Sequence, residues 1–182
     1  MIIKNSLKKN SLAGFSLIEM LIYIAVLSII FLIVVGTTLS FASSYRTLAA
    51  LRAADNAGID TLEPMTRTIR AAGSVLTSQS VLGSNPGTLA LYEAHNGNST
   101  TTTFDLQNGV VEMTVMVNNI KDAALSGPLT SSNAMVTNLV FDALSTSTAS
   151  AVKIDMTAIG ISGSVQKSKN FYSTIVLRGS TS

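Results

Sequence analysis

The chain opens with a short basic stretch, which is followed by a long apolar run. Residues 20–45 contain no charged side chain, and Leu, Ile, Val and Phe dominate them as far as Gly36. A helix needs roughly 20 apolar residues to cross the hydrocarbon core of a bilayer. The run therefore predicts a membrane-spanning helix, and the residues after Gly36 become smaller and more polar.

A second helical pattern follows the apolar run. Apolar residues recur at spacings of three and four, at Ile59, Leu62, Met65, Ile69 and Ala72. Such a stripe is typical of a helix that packs one face against a core, and Gly73 marks its expected end. The sequence does not decide whether the helix bends at Gly36, although Gly weakens a helix. Pro64 predicts either a kink or a restart of the helix.

The rest of the chain shows the alternation of half-buried strands. Asn108-Gly109 suits a two-residue type I′ turn, which places Leu106 opposite Val111 and Phe104 opposite Met113. Further strands are predicted at residues 88–92, 135–144, 152–158 and 171–178, and polar loops at 96–103, 145–150 and 160–170. This alternation favours an antiparallel sheet with one solvated face. The predicted fold class is α+β: a long amino-terminal helix, first membrane-spanning and then amphipathic, packed on a carboxyl-terminal antiparallel β-sheet head.

Charge is scarce and unevenly placed. Charged residues make up 12% of the 182 residues, and Lys4, Lys8 and Lys9 lie before the apolar run. Without these three, nine Lys and Arg face ten Asp and Glu, so the body offers no broad basic face and no direct nucleic-acid binding is predicted. The positive-inside tendency predicts a cytoplasmic amino terminus and an extracytoplasmic head.

The chain offers little reactive chemistry. It has no Cys, and its one His, His95, falls in a predicted polar loop. Carboxylates are scattered, so a calcium site stays open, although no Asp-x-Asp-x-Asp loop supports one. An enzyme needs a cluster of reactive groups. The sequence therefore predicts a protein that is not an enzyme, with no metal and no cofactor.

The apolar run allows three interpretations. A secretory signal peptide with a cleavage site at residues 40–42 is one, but such apolar regions usually span about 7–15 residues. An ordinary signal anchor is the second. It does not explain Glu19, since a carboxylate costs up to about 2.5–3.5 kcal/mol at the bilayer centre. The third interpretation gives Glu19 a role.

That role comes from a resemblance. The segment Gly14-Phe15-Ser16-Leu17-Ile18-Glu19-Met20-Leu21-Ile22 resembles the prepilin cleavage and methylation motif of type IV pilins and pseudopilins. The resemblance implies that prepilin peptidase, a membrane enzyme, cuts between Gly14 and Phe15 and methylates the new amino terminus at Phe15. It also implies that Glu19 is an assembly determinant, because the cationic amino terminus of a neighbouring subunit can offset a carboxylate that is costly in lipid.

Three further segments, residues 65–72, 129–141 and 171–178, resemble W- and J-type minor pilins and pseudopilins. The organisation expected is a cleaved leader at 1–14, a transmembrane and assembly helix at 15–45, an amphipathic stem helix at 46–73 and a β-rich head at 74–182. The function expected is a minor structural subunit of a type IV pilus or a type II secretion-like pseudopilus.

The same resemblance implies a location and partners. The subunit is expected in the cytoplasmic membrane and then in the filament, with other pilins or pseudopilins and an inner-membrane assembly platform as partners. The alternative is a membrane-anchored extracytoplasmic binding or adhesion module that never enters a filament.

Overall fold

The structure, a computed structural model, describes residues 14–95, 97–145 and 149–178. Lys4, Lys8 and Lys9 lie outside the described residues. One α-helix, α1, spans Leu17–Ala71. It continues through Gly36 and Pro64, so the restart considered at Pro64 is wrong. The chain divides into two compact units, Met1–Ser43 and Ser44–Ser182, which are described separately.

In the first unit the helix presents its side chains to the surroundings. Every described residue from 14 to 43 is exposed except Glu19, which is half-buried. A helix that is apolar on all sides and buried by no part of its own chain needs an apolar environment or partner helices. By length and composition this helix qualifies as a candidate membrane span.

In the second unit the helix is followed by nine strands among the described residues. They are β1 Ser74–Val75, β2 Thr88–His95, β3 Asn98–Gln107, β4 Val110–Val117, β5 Ile120–Lys121, β6 Gly127–Pro128, β7 Ala134–Ser145, β8 Ser150–Ser162 and β9 Val165–Val176. All pairs are antiparallel. One sheet has the order β1-β2-β3-β4-β5, with β6 also paired to β4, and the other has the order β7-β8-β9. The predicted α+β fold is confirmed.

The register predicted for the Asn108-Gly109 hairpin is also confirmed. Leu106 pairs with Val111, and Phe104 pairs with Met113. Asn108 and Gly109 both have positive φ, at 51° and 82°, as a type I′ turn requires. Phe104 and Val111 are fully buried, so the turn chemistry and the core select the same register.

Two predicted loops are wrong. Residues 100–103 lie inside β3, and residues 160–170 form the end of β8 and the start of β9. In β3 the four threonines are β-branched and suit a strand. Between β8 and β9 a tight turn at Gly163 lets the ladder begin at the pair Ser162–Val165, so polar residues become strand by continuing the register. His95, also assigned to a loop, ends β2 and pairs with Asn98.

The helix packs on the second sheet through small residues. Ala50, Ala54 and Ala57 are completely buried. A Cβ atom built on Gly160 of β8 would lie 1.9 Å from the backbone oxygen of Ala50, and one built on Gly58 would lie 2.2 Å from the ring of Phe171. The absence of side chains at these two glycines therefore permits the close approach of helix and sheet.

Further along the helix, larger residues enter the main core. Met65 and Ile69 are fully buried beside Leu89, Phe104 and Phe141, where each such side chain contributes about 1.5–3 kcal/mol by burial. The predicted stripe is confirmed at Met65, Ile69 and Ala72. It is wrong at Ile59, which is 58% exposed.

Candidate functional site

The helix begins directly after the predicted cleavage position. Gly14, Phe15 and Ser16 precede α1 and are exposed, and a Cβ atom on Gly14 would meet nothing within 4 Å. The peptide bond between Gly14 and Phe15 thus lies in non-helical, uncovered chain. Proteolytic cleavage concentrates in exposed chain of this kind.

Ser16 caps the first turn of the helix. The backbone N–H of Glu19 donates to the carbonyl oxygen of Ser16 at 3.1 Å and lies 3.2 Å from its Oγ. The N–H of Met20 also donates to the Ser16 carbonyl, at 3.2 Å. Ser16-x-x-Glu19 has the spacing of a capping box. The side chain of Ser16 therefore fixes the start of the helix at Leu17, three residues after Gly14.

The carboxylate of Glu19 lies in the first turn of α1. The hydroxyl of Tyr23, one turn further along, donates to Oε1 of Glu19 at 3.3 Å. The rings of Phe15 and Tyr23 meet edge to face, with centroids 6.1 Å apart and planes at 78°. Tyr23 therefore contacts both Phe15 and Glu19, the half-buried residue of this segment. A negative charge at this end of a helix is also favoured by the helix dipole.

Hydroxyl groups further along the apolar run bond to the helix itself. Ser28 Oγ donates to the Ile24 carbonyl at 2.7 Å, and Thr37 Oγ1 donates to the Ile33 carbonyl at 2.8 Å. Thr38 makes the corresponding bond. In a bilayer core, polar groups must find partners inside the protein. These three hydroxyls can therefore enter lipid without a donor left unpaired. Glu19 is the one Asp, Glu, Lys or Arg residue of the segment from 14 to 43.

The amino-terminal segment also matches a known family. Residues 9–35 match the family model described as prokaryotic N-terminal methylation motif. The chain is a type IV pilin-like protein. No curated protein and no solved structure matches the chain.

For this pilin-like chain, the motif implies processing by prepilin peptidase and assembly of the pilin type. Together with the apolar helix it indicates anchoring in a membrane. The motif family is structural and not enzymatic. Among the described residues, no group of three or more His, Cys, Asp or Glu could hold a metal ion. The assignments of Gly14, Phe15 and Glu19 stay predictions, although the structure brings Phe15 and Glu19 together around Tyr23.

Two residues of this site were not predicted from the sequence. Ser16 could have been found from its Ser-x-x-Glu spacing to Glu19. Tyr23 carries a weaker signal, which is a polar hydroxyl four residues after a glutamate on the same helical face. The ring contact between Phe15 and Tyr23 has no signal of this kind, because Phe15 lies outside the helix.

Proposed function

We propose that this protein is a minor structural subunit of a type IV pilus or of a type II secretion-like pseudopilus. Prepilin peptidase removes the leader, residues 1–14, by cutting between Gly14 and Phe15, and methylates Phe15. The inner-membrane assembly platform then adds the subunit to other pilins or pseudopilins. The W- and J-type resemblances of the stem and head favour a minor subunit.

One observation carries this proposal. Glu19 is an acidic side chain at the start of an exposed apolar helix, and the Tyr23 hydroxyl is the one side-chain partner that the described residues give its carboxylate. A single hydrogen bond from a neutral group leaves a carboxylate in lipid undercompensated. A cationic amine from a neighbouring processed subunit supplies the missing charge, and it does so only when the two helices are in one axial register.

Orientation and organisation follow from the same proposal. The amino terminus faces the cytoplasm and the head, from about residue 74, lies outside the cytoplasmic membrane. Residues 15–45 form the transmembrane and assembly helix, and residues 46–73 form the stem. After assembly residues 15–45 leave the lipid and pack among other pilin helices. This packing would cover the side chains of residues 14–43, which are exposed in the single chain except at Glu19.

The test has two parts. Mass spectrometry of the mature chain identifies its first residue, which we expect to be an N-methylated Phe15. A Glu19→Gln variant that is still cut after Gly14 is then compared with the parent in sheared filaments. We expect at least a tenfold loss of incorporation with an unchanged head, because the neutral side chain no longer attracts the amine.

A matched control is Glu63→Gln, which removes a surface carboxylate that pairs with Arg67 at 3.2 Å and leaves the apolar helix intact. We expect normal incorporation, because exposed ion pairs contribute little. Normal incorporation of the Glu19→Gln variant would instead favour the second candidate, a membrane-anchored binding or adhesion module outside any filament. The feature that favours a binding role is the edge of the second sheet at β9, which among the described residues pairs with β8 alone.

A further inference from the structure

The outer edges of the first sheet are covered by the chain itself. Beside β2, residues 74–75 pair with 91–92, and the N–H of Leu76 donates to the Ala90 carbonyl at 2.8 Å. Beside β4, both β5 and β6 add short strands, and the N–H of Leu129 donates to the Val111 carbonyl at 2.8 Å. Neither edge of this sheet offers a long row of unpaired backbone groups.

The β7 edge of the second sheet is covered in the same way. Gly83 and Gly87 donate their N–H groups to the carbonyls of Phe141 and Leu139, both at 2.8 Å. The side-chain oxygen of Asn85 accepts from the N–H of Leu139 at 2.9 Å. The loop at residues 83–87 thus occupies the outer side of β7.

The β9 edge is different. Among the residues that the structure describes, β9 pairs with β8 alone. The register of this pair runs without a shift from Ser162–Val165 to Ala151–Val176, and the N–H of Leu177 donates to the Ser150 carbonyl. Because alternate residues of an antiparallel strand bond to the same side, the backbone groups of Tyr172, Thr174 and Val176 point away from β8.

Space for another chain adjoins these groups. A groove of about 580 Å³ is lined by Arg70 and by the consecutive residues 174–178. It shares Arg70 and Arg178 with a larger groove of about 710 Å³, whose apolar wall includes Ile59, Leu62 and Phe171. Open space along consecutive strand residues is what an added strand requires.

One guanidinium group of the described helix lines both grooves. Arg70 belongs to the lining of each, whereas the guanidinium group of Arg67 already pairs with Glu63. Guanidinium groups bind carboxylates in two-pronged geometry. An occupant with acidic side chains therefore complements the groove better than a neutral or basic one.

The first half of β9 carries residues that discourage pairing with another chain, and the second half does not. Lys167 and Lys169 lie in the first half, and Lys169 forms an ion pair with Asp55. Lysines on an edge strand discourage pairing with another chain. In the second half, Tyr172 is 65% exposed and Val176 is 53% exposed, and residues 171–176 contain no charge.

We propose that residues 171–176 of β9 bind an extended segment of a partner protein as an added strand. Acidic side chains of this segment lie on the face toward Arg70, and its alternate apolar side chains lie on the opposite face, beside the exposed side chains of Tyr172 and Val176. Backbone hydrogen bonds to Tyr172, Thr174 and Val176 supply the affinity. Arg70 on one face, and Tyr172 and Val176 on the other, select the side chains of the segment. The proposal does not rest on filament assembly, so the Glu19→Gln variant should bind such a segment normally.

The probe is a fluorescein-labelled eight-residue peptide that alternates Val and Glu. Its binding to the purified full-length chain in detergent micelles is followed by fluorescence anisotropy. We expect saturable binding that weakens at least tenfold when Lys replaces Glu. N-methylation of the peptide at every second residue removes donors on one edge only, so one of the two possible N-methyl series should lose at least tenfold and the other should bind normally.

The protein variant is Thr174→Pro, with Thr174→Val as its matched control. Proline removes an outward N–H without taking a bond from β8, and edge strands tolerate it there. We expect Thr174→Pro to bind the Val/Glu peptide at least tenfold more weakly and Thr174→Val to bind as the parent does. An unchanged circular dichroism spectrum and unfolding midpoint establish that both variants fold.

Several results would overturn the proposal. One is no binding of the Val/Glu peptide at millimolar concentration, and another is equal binding of both N-methyl series by the parent chain. The latter comparison needs no protein variant, so it stands even if Thr174→Pro does not fold. Self-association that Thr174→Pro abolishes, without peptide binding, would make a second copy of this chain the occupant instead.

Discussion

The hydroxyl of Tyr23 donates a hydrogen bond to Oε1 of Glu19 at 3.3 Å, one turn along the same helix. Tyr23 also meets the ring of Phe15 edge to face, so one side chain contacts both the proposed site of methylation and the proposed assembly residue. Among the described residues this hydroxyl is the side-chain partner of the Glu19 carboxylate.

The Tyr23–Glu19 bond should be measurable as an energetic coupling. Phe is more apolar than Tyr, so Tyr23→Phe alone alters membrane insertion for two reasons, and a double-mutant cycle with Glu19→Gln separates them. We expect a coupling of about 0.5–1.5 kcal/mol in a membrane-insertion assay, the usual net value of a hydrogen bond. The same cycle with Tyr45→Phe should give none, because Tyr45 is 26 positions away along the helix.

The contact between Gly160 and the helix backbone predicts a large loss of stability on substitution. In Gly160→Ala the new Cβ would lie 1.9 Å from the Ala50 oxygen and 2.4 Å from the Ala54 nitrogen, and neither backbone atom can rotate away. We expect the free energy of unfolding to fall by about 1–3 kcal/mol or more, measured by urea denaturation of the full chain in detergent. Gly127→Ala is the control, since nothing lies within 4 Å of its Cβ, and an equal loss there would disprove the packing argument.

The effect of Gly58→Ala on the free energy of unfolding should change sign when the ring of Phe171 is removed. A Cβ at Gly58 would lie 2.2 Å from the ring of Phe171, so we expect Gly58→Ala to lower the free energy of unfolding by about 1–3 kcal/mol. In a Phe171→Ala background the clash is absent and Ala is the better helix former. There the same substitution should raise the free energy of unfolding by about 0.5–1 kcal/mol. Denaturation of the four proteins checks this, and a loss in both backgrounds would contradict it.

Removal of the Thr61 hydroxyl should make the protein more stable. The residue is completely buried, and its Oγ1 has no hydrogen-bond partner in the described part of the chain. Val has nearly the same shape and helix propensity, so Thr61→Val should raise the free energy of unfolding by about 1 kcal/mol. Thr66→Val, at a half-exposed position of the same helix, should change it by less than about 0.5 kcal/mol. Equal effects at the two positions would contradict the explanation.

The sequence alone predicted the strands and their register correctly where two independent signals agreed. At the Asn108-Gly109 hairpin, the turn type and the apolar alternation both fix one register, and the structure has it. In β8, Val152, Ile154 and Met156 alternate with polar residues and are completely buried. Periodicity works in these strands because one face packs on the core and the other meets water.

The sequence alone did not predict the structure correctly where small residues form the helix–sheet contact or where polar residues form strands. The helix face at Ala50, Ala54 and Gly58 is buried. Apolar spacing instead predicts Ile59 as a buried residue, because hydrophobicity scales give little weight to Gly and Ala. Residues 160–170 look like a loop since they are polar. They form strands because the tight turn at Gly163 allows β8 and β9 to stay paired as far as Ser162–Val165, beyond the residues that contact the core.

Some functional residues could likewise be predicted from the sequence, and others could not. Glu19 and the Gly14–Phe15 bond were identified from the sequence because a charge interrupts an apolar run at a recognisable spacing. The exposed edge of β9 could not be found in this way. Which strand ends a sheet depends on strand order and on which loops cover the other edges, and neither property has a local signal.

The tip of the β3–β4 hairpin is bonded to the other sheet. The N–H of Val136 donates to the Gly109 carbonyl at 2.8 Å, and a Cβ on Gly109 would lie 3.3 Å from Met135. Slow hydrogen exchange at the Val136 amide should consequently report the opening of both layers at once. Exchange at Val136 as slow as at the core amides would show that the two sheets open together, and a head that opens in this way exposes few aggregation-prone intermediates.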